Sequence, residues 1–433
     1  MRRALFLFAC GSIALGTVAA CATSDDGPTG PGVSADDGGG LLLDAGPALD
    51  AGADAPRDAY REPPTCSPAG WCLTELPDDE LRLGDIWPFP NRAFAVADSE
   101  TVGTKVLEWD GTTKTWSYID DNDNNTGFSV TGSIWAPNED EVYYSRVVVD
   151  FSSFSIRGIP YRGKRPVPPA TKWTWEALPA QSCDHVNIPI VRGTGPNDVY
   201  LVFCRSVHRL NQPSPGGGGA PATWTLEYAA EGDTSNVTFG DVVGTGPDDL
   251  WIVGGRSWAG YGGCGIVIRK DASGYRLVAD GDADTETGEC SPREGLAMIP
   301  GAFQYGNQVV AENQLVGVNY VSESITDVTK IVATGDGKIT QTTSHPTVAS
   351  NILLSSTWGA SLDALWFVTG RLGGGANTVL HGTDIFSNGG KYQYSTVSMN
   401  GEPNPKRLVR IRGTSNTDIW AIGDQRALHK TTP

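Results

Sequence analysis

Two acidic segments carry oxygen ligands at every second residue, a spacing that lets successive side chains converge on one hard cation such as Ca²⁺. Neither segment has the glycine at the sixth position and the glutamate at the twelfth that an EF-hand loop requires. Solvated acidic turns are the alternative interpretation. The predicted calcium ligands are Asp121, Asp123 and Asn125 in the first segment, and Asp280, Asp282, Asp284 and Glu286 in the second.

The cysteines predict disulfide bonds and not a zinc site. Of the eight cysteines, Cys10 and Cys21 belong to the N-terminal region, which leaves an even number in the rest of the chain. An even number favours disulfides in an oxidising compartment, with buried free thiols as the alternative. No Cys-x-x-Cys pair is present and the histidines do not cluster. Sequence proximity favours the pairs Cys66–Cys72, Cys183–Cys204 and Cys264–Cys290.

The remaining residues with catalytic potential recur at fixed places in a repeat, which indicates structural roles. A carboxylate that follows a turn is expected to hydrogen-bond the turn backbone, and the repeated tryptophans are expected to pack between strands. Isolated histidines are seldom general bases. The recurring residues are Asp198, Asp249 and Asp418, the tryptophans Trp251, Trp366 and Trp420, and the histidines His208, His381 and His429. We therefore predict no catalytic residue.

The repeat itself is a strand, a Gly/Pro/Asn/Asp turn and a second apolar strand. Three copies are close in sequence, at 191–202, 242–253 and 411–422, and looser copies stand at 84–94, 131–143 and 357–366. A further weak copy lies near 300–310. Two more short strands follow most copies, and the last of them often carries a tryptophan.

Four short strands per unit of about fifty residues are typical of a β-propeller blade. The copies predict an all-β fold with a single propeller of seven four-stranded blades, with six or eight blades as alternatives and a β-sandwich array as a more distant one. The last unit lacks a closing strand. The segment Gly70–Pro77 resembles that missing strand, so we expect the N-terminal and C-terminal strands to share one blade, which leaves no exposed sheet edge.

The core of the repeat, Gly-Thr-Gly-Pro-Asp-Asp-Leu-Trp-Ile-Val-Gly from Gly244 to Gly254, resembles the repeats of bacterial propeller lipoproteins and, more distantly, of BNR and photosystem-II-assembly-factor propellers. The resemblance covers about residues 66–433. It implies the fold and favours binding over catalysis. The Ser-x-Asp-x-Gly-x-x-Trp box of sialidase-type propellers is absent, and no motif predicts an arginine cluster around a nucleophilic tyrosine.

The N-terminus has the pattern of an export signal: Arg2 and Arg3, an apolar stretch at 4–15, and small residues before Cys21. The segment Val18-Ala-Ala-Cys21 resembles the lipobox of bacterial lipoproteins, which implies a cleaved signal peptide at 1–20 and lipid on Cys21. Release as an unanchored exported protein is the alternative. By the same resemblance, Ala22 and Thr23 favour the outer membrane or cell surface of a Gram-negative bacterium.

Residues 21–64 are rich in Gly, Ala, Asp and Pro and have too little apolar surface to fold, so we predict a disordered tether before the propeller at 65–433. Loss of Arg2 and Arg3 leaves 30 basic against 50 acidic residues, a formal charge of −20. Nucleic acid is therefore not an expected partner.

The sequence as a whole predicts a monomeric, lipid-anchored binding scaffold for a protein or glycan. The glycine-rich insertions at 213–222, 256–265 and 371–377 are the expected contact loops on one face of the propeller, with tolerated spacers as the alternative. A secreted hydrolase or lyase acting on a glycan is the alternative. The axis of the propeller distinguishes the two: repeat-equivalent packing residues there favour the scaffold, and clustered titratable groups that the repeat does not explain favour the hydrolase or lyase.

Overall fold

In a computed structural model, the chain divides into two compact units, Met1–Arg61 and Glu62–Pro433. The structure describes residues 66–432 of the second unit, except for 123–128, 151–154, 184–186, 213–220, 232–235, 257–261, 285, 323–324, 347–351, 372–377, 388–389, 396, 400–401 and 403. The predicted signal peptide, Cys21 and the tether lie outside the described residues. Nowhere in the described part is there a helix of the length and apolarity that crossing a membrane takes.

The described residues form seven antiparallel blade sheets, six of four strands and one of five, and the predicted seven-bladed propeller is confirmed. Strand β1 (Trp71–Leu73) belongs to the last blade. Blade 1 contains β2 (Arg82–Phe89), β3 (Arg92–Ser99), β4 (Gly103–Asp110) and β5 (Thr115–Tyr118). Blade 2 contains β6 (Ser129–Asn138), β7 (Glu141–Asp150) and β8 (Ser155–Lys164), with β9 (Thr174–Ala177) and β10 (Gln181–Cys183) both paired to β8.

The next two blades follow the same order. Blade 3 contains β11 (Ile190–Gly195), β12 (Asp198–Phe203), β13 (Ser206–Asn211) and β14 (Thr223–Ala229). Blade 4 contains β15 (Val237–Gly246), β16 (Asp249–Arg256), β17 (Cys264–Asp271) and β18 (Gly274–Ala279). A separate hairpin, β19 (Gly281–Ala283) and β20 (Cys290–Pro292), follows blade 4.

The last three blades close the ring. Blade 5 contains β21 (Ala302–Ala311), β22 (Gln314–Ser322), β23 (Ile325–Ala333) and β24 (Ile339–Ser344). Blade 6 contains β25 (Ile352–Ser361), β26 (Ala364–Arg371), β27 (Val379–Thr383) and β28 (Lys391–Ser395). Blade 7 contains β29 (Leu408–Ser415), β30 (Asp418–Gly423) and β31 (Arg426–Lys430), and β1 completes it by pairing with β31. The predicted sharing of a blade by the two ends of the chain is confirmed.

The first strand of each blade lines the axis, and neighbouring first strands contact one another around the ring, from β2 through β29 and back to β2. These strands run in one direction and end at the repeat turns. We use the term turn face for the side of the propeller where the first strands end. The opposite side, where the first strands begin, is the entry face. The hairpins between second and third strands and the blade-to-blade connections therefore lie at the entry face.

Two of the predicted glycine-rich insertions, 256–265 and 371–377, connect second and third strands, at the entry face. The third insertion, 213–222, connects β13 and β14, which meet at the turn face. The expectation that all three share one face is therefore wrong, because successive antiparallel hairpins of a blade alternate between its two ends.

The core lies between the blades. The recurring tryptophans are buried there, with exposed fractions of 0% for Trp251, 6% for Trp366 and 1% for Trp420, which confirms their packing role. The repeat glycine has a related function: a Cβ added at Gly193 would lie 2.7 Å from the Trp135 ring of the preceding blade. Only glycine leaves room for that close approach.

Three disulfide bonds join Cys66 to Cys72, Cys183 to Cys204, and Cys264 to Cys290. This is the pairing that sequence proximity favours. The second and third bonds lie at the entry face, because Cys204 follows the end of a second strand and Cys264 begins a third strand. The third bond attaches the β19–β20 hairpin to blade 4.

Candidate functional site

The recurring carboxylates join a turn to the third strand of their blade. Asp198 accepts a hydrogen bond from the hydroxyl of Thr194, and Asp249 and Asp418 accept equivalent bonds from the threonine four residues earlier. The partner is thus a threonine hydroxyl and not the turn backbone that the sequence predicts. The second oxygen of each faces a cation or imidazole on the third strand, so the carboxylate connects two strands and its role is structural.

The register of the third strands shows that the prediction of one repeat position for His208, His381 and His429 is wrong for His208. His381 pairs with Trp366 and His429 pairs with Trp420, so these two do occupy equivalent places. His208 pairs with Leu201, one residue out of register, and Arg209 takes the equivalent place opposite Tyr200. Since a shift of one residue moves a strand side chain to the other face of the sheet, His208 is not a member of the set. Burial lowers the pKa of His208.

In the predicted calcium segment at 280–286, three carboxylates have other partners and Glu286 is exposed. Asp280 is 2.6 Å from Arg293 and 2.9 Å from Arg256, and Asp282 is 2.5 Å from Arg293. Asp284 accepts hydrogen bonds from the backbone N–H groups of residues 286 and 287, as an Asx turn does. The side chains therefore do not converge on one point.

In the first predicted segment, Asp121 is exposed, and Asp123 and Asn125 lie outside the described residues. Within the described ranges, no group of three or more His, Cys, Asp or Glu side chains could hold a metal ion. Calcium binding stays a prediction.

A cluster of charged side chains fills the axis, and we name it the axial cluster. Its members come from the first strands of five blades: Asp85, Arg192, Asp241, Tyr305, Arg410 and Arg412. Asp85 and Arg410 occupy the same place in their blades, since they pair with equivalent residues of the second strand, Val96 and Ile422. In three other blades this place is taken by Ile190, Asp241 and Ser356. The repeat therefore does not explain Asp85, Asp241 and Arg410, because the types at their place differ from blade to blade. Arg192 and Arg412 share another repeat place, opposite Tyr200 and Trp420.

Asp85 is at the centre of the axial cluster and has no solvent exposure. One carboxylate oxygen is 3.2 Å from Nε of Arg410, and the other is 3.3 Å from Nη2 of Arg192 and accepts a hydrogen bond from the N–H of Ile134 at 3.0 Å. Burial raises the pKa of Asp85, but the nearby guanidinium groups lower it by more, so the pKa lies below its ordinary value. Asp85 is accordingly an anion in the folded protein.

Tyr305 completes the centre of the axial cluster. Its hydroxyl donates to Asp85 and accepts from Nη2 of Arg192 at 2.7 Å, and Arg410 lies over its ring at 4.2 Å from the centroid. Burial raises the pKa of Tyr305 strongly, even though Arg192 lowers it in part. The phenol therefore stays protonated and acts as a hydrogen-bond donor.

An irregularity in blade 5 brings Tyr305 to the axis. Phe303 pairs with Asn319, and the next pair is Gln308 with Gly317. Between these two pairs β21 advances by five residues while β22 advances by two, so β21 bulges. Such bulges re-aim side chains. Gly306 has a φ of +74°, and a Cβ there would collide with the Arg410 guanidinium. The bulge also accounts for the weakness of the sequence repeat near residues 300–310.

The second carboxylate, Asp241, anchors the bulge. It accepts hydrogen bonds from the N–H of Gly306 at 3.0 Å and from its neighbour Val242 at 2.9 Å, and it is 3.8 Å from Nε of Arg192. Burial raises the pKa of Asp241, while Arg192 and Arg412 oppose that change. The axial cluster thus contains three guanidinium groups and two carboxylates, a local cationic surplus in a protein whose formal net charge is −18.

The axial cluster was not predicted from the sequence. No sequence motif indicates arginines around a tyrosine, yet Arg192 and Arg410 flank Tyr305 here. The available signal was a contrast: the two repeats that begin Val191-Arg-Gly-Thr and Ile411-Arg-Gly-Thr carry an arginine where the repeat at Val242 carries a valine. Polar residues that interrupt an apolar repeat position mark a place where the blades differ.

Two cavities border blade 7 at the turn face. One, of about 500 Å³, lies between blades 7 and 1 and is lined by His429, Asp418 and Trp109 among others. The other, of about 340 Å³, lies between blades 6 and 7 and is lined by His381 and Lys430 among others. The residues around them belong to the repeat, so these cavities are gaps between blades rather than assembled chemical sites.

No protein-family model matches the chain, and no curated protein matches it. Solved structures do resemble it. A luciferin-regenerating enzyme is 12% identical over 71% of this chain and 92% of its own, with a TM-score of 0.39. The sialidase of Trypanosoma rangeli in complex with sialic acid is 10% identical over 83% of this chain and 54% of its own, with a TM-score of 0.36.

A neuraminidase-like protein of A/flat-faced bat/Peru/033/2010 is 12% identical over 78% of this chain and 97% of its own, with a TM-score of 0.34. At these identities the likeness is one of fold and carries no argument about activity. The chain shares the β-propeller fold with these proteins.

Proposed function

We propose that this protein is an exported, lipid-anchored β-propeller that acts as a binding scaffold, with its ligand contacted at the axis. The axial cluster is the observation that carries the proposal. Its members Asp85, Arg192, Tyr305 and Arg410 all come from first strands, which line the axis. Convergent polar groups that a repeat does not explain are a default binding-site hypothesis.

Clustered axial groups that the repeat does not explain were the sequence criterion for the hydrolase or lyase, but the chemistry of the axial cluster supports binding more than catalysis. A general acid or base needs a pKa near the working pH. Burial raises the pKa of Tyr305 strongly and the arginines hold the pKa of Asp85 low, so neither group exchanges a proton near neutral pH. Such groups are suited to orienting a charged or hydrogen-bonding ligand.

Export and anchoring rest on the N-terminal sequence and on the three disulfides, which are characteristic of oxidising compartments. Lipid on Cys21 would attach the chain to the outer membrane or cell surface. The test is Cys21→Ala in a Gram-negative host fed with labelled palmitate. The wild-type protein should incorporate label and sediment with membranes, and the variant should do neither. Equal labelling of both proteins would contradict the proposal.

Ligand binding is tested with an array of acidic and neutral oligosaccharides. Gln304→Trp adds bulk beside Tyr305 at the axis, and Thr113→Trp adds the same bulk at an exposed turn of the turn face. We expect the first variant to weaken binding at least about tenfold and the second to leave it unchanged. Equal effects of both variants would place the ligand elsewhere.

A glycan hydrolase or lyase is the second candidate, favoured by the contact between Tyr305 and Asp85 beneath two arginines. It predicts turnover of one of the array oligosaccharides. Tyr305→Phe removes the hydroxyl and keeps the ring, so it should abolish turnover in an enzyme and change affinity only modestly in a scaffold. Chromatography of the oligosaccharides after incubation with both proteins distinguishes the two functions.

A further inference from the structure

Arg412 is the member of the axial cluster without a partner. The residue is 8% exposed, and its Nε and Nη2 atoms are buried without a hydrogen-bond acceptor. No carboxylate of a described residue lies within ion-pair distance of it, whereas Arg192 and Arg410 both contact Asp85. A buried and unpaired cation is costly in a folded protein, so the position calls for a negative partner from outside the chain.

The two unpaired atoms define the chemistry of that partner. Nε–H and the nearer N–H of Nη2 lie along one edge of the guanidinium and point in the same direction. Two parallel N–H donors match two oxygens of a carboxylate or phosphate, which accept both hydrogen bonds in a bidentate ion pair. A single-atom acceptor would satisfy only part of this edge.

The surroundings of Arg412 favour an anion as well. The axial cluster holds three guanidinium groups against Asp85 and Asp241, and Asp85 is already shared by Arg192 and Arg410. Burial and the nearby Arg192 lower the pKa of Arg412, and an added negative charge would oppose that change. The local surplus of positive charge contrasts with the acidic chain around it.

We propose that the axis of the propeller binds an oxyanion, the carboxylate or phosphate of an acidic ligand, through the Nε–Nη2 edge of Arg412. The proposal rests on the proposed binding function and names the ligand class of the same site. The positive charges of Arg192 and Arg410, which are held in place by Asp85 and Tyr305, add electrostatic attraction for the anion.

The test is the thermal stability of the full chain in fixed 150 mM NaCl with added formate, acetate or phosphate. A ligand that binds the folded state raises the unfolding temperature by mass action. For a protein of this size we expect a rise of about 3–5 °C at a hundredfold excess over the dissociation constant. Arg412→Met should abolish the rise, and Arg412→Lys, which keeps the charge but not the edge, should weaken binding at least about tenfold.

Arg276→Met is the matched control. Arg276 lies on the outer strand of blade 4 and its side chain is 40% exposed, so this variant should keep the full response. Crystals soaked in bromoacetate provide a second measurement that does not depend on variant folding: an anomalous bromine peak beside Nε and Nη2 of Arg412 is expected. Its position also shows whether a carboxylate, rather than phosphate alone, is accepted.

Three outcomes would overturn the proposal. The first is an equal anion response in Arg412→Met, which would mean that the anion binds elsewhere. The second is no response in wild type together with higher stability of Arg412→Met, which would mean that water alone solvates the guanidinium. The third, seen when the NaCl concentration is varied in a parallel series, is a rise in the unfolding temperature with chloride and no rise with the oxyanions. In all three cases the oligosaccharide experiment with Gln304→Trp still tests the binding scaffold separately.

Discussion

His381 and His429 occupy the same register place in adjacent blades, but only His429 has a carboxylate beside it. Each imidazole stacks on the tryptophan across the strand pair, with centroid distances of 4.1 Å and 3.9 Å. Nε2 of His429 is 2.7 Å from Asp418, whereas Nε2 of His381 is buried without a hydrogen-bond partner. The difference follows from the residue that begins the second strand, Asp418 in blade 7 and Ala364 in blade 6.

The isolated His381 makes stability depend on pH. Burial, followed by the nearby Lys430, lowers the pKa of His381 below its ordinary value of about 6.5. The unfolded chain therefore binds this proton more tightly, so the free energy of unfolding is highest above pH 6.5 and falls as the pH decreases through 6.5 toward the folded pKa. We expect His381→Asn to flatten this fall, as measured by urea unfolding at pH 7.5 and 5.5.

The control is Gln393→Ala, which changes the same cavity without removing a titrating group. It should keep the wild-type pH dependence. An unchanged pH dependence in His381→Asn would show that another group is responsible.

Ala364→Asp should give His381 the partner that His429 has. The new carboxylate favours the protonated imidazole, so the pKa of His381 should rise and the sign of the pH effect should reverse: the added stability is present at low pH and is lost as the pH rises through the folded pKa. The expected gain is about 1 kcal/mol at pH 5.5. A titration of His381 followed by NMR measures the shift, and Ala364→Asn, which adds no charge, should not produce it.

Asp249→Ala should destabilise the protein more than Asp418→Ala. Asp249 pairs with Arg269, whose side chain is 3% exposed, so its loss leaves a buried cation that costs about 3–5 kcal/mol. Asp418 pairs with His429, whose side chain is 18% exposed, and we expect about 1–2 kcal/mol. Urea unfolding compares the two. Asp248→Ala, at an adjacent exposed residue, should stay within about 0.5 kcal/mol of wild type, and equal losses in all three would contradict the ranking.

Asp85→Asn should lower the free energy of unfolding by about 3–5 kcal/mol, because Arg192 and Arg410 would then face a neutral amide in the buried axis. The loss should shrink in acid. Since the folded pKa of Asp85 is below its ordinary value, the stability that its charge contributes is present above about pH 4 and is lost as the pH falls further. Asp79→Asn, at an exposed residue, is the control, and a pH-independent difference between wild type and Asp85→Asn would contradict the assignment.

The architecture was predictable because the same motif recurs along the chain, so several copies independently predict the same kind of blade. The strand–turn–strand motif occurs often enough that even its weak copy in blade 5 could be counted, although that weakness left six or eight blades as alternatives. The closing strand was recognisable from Trp71 and Leu73, and the three disulfides were those of nearest cysteines. The exact register was less accessible: Arg209, not His208, is the counterpart of His429, and a one-residue shift is invisible in a short strand pattern.

The sequence by itself determined the all-β class, the shared blade, the disulfide pairs and the packing role of the tryptophans, because each depends on local patterns that recur along the chain. Only the tertiary structure revealed the axial cluster. Asp85 and Tyr305 are 220 residues apart, and Arg412 is farther still from Asp85 along the chain. Closure of the ring brings the first strands together at the axis, and no local pattern encodes a contact that only the closed ring creates.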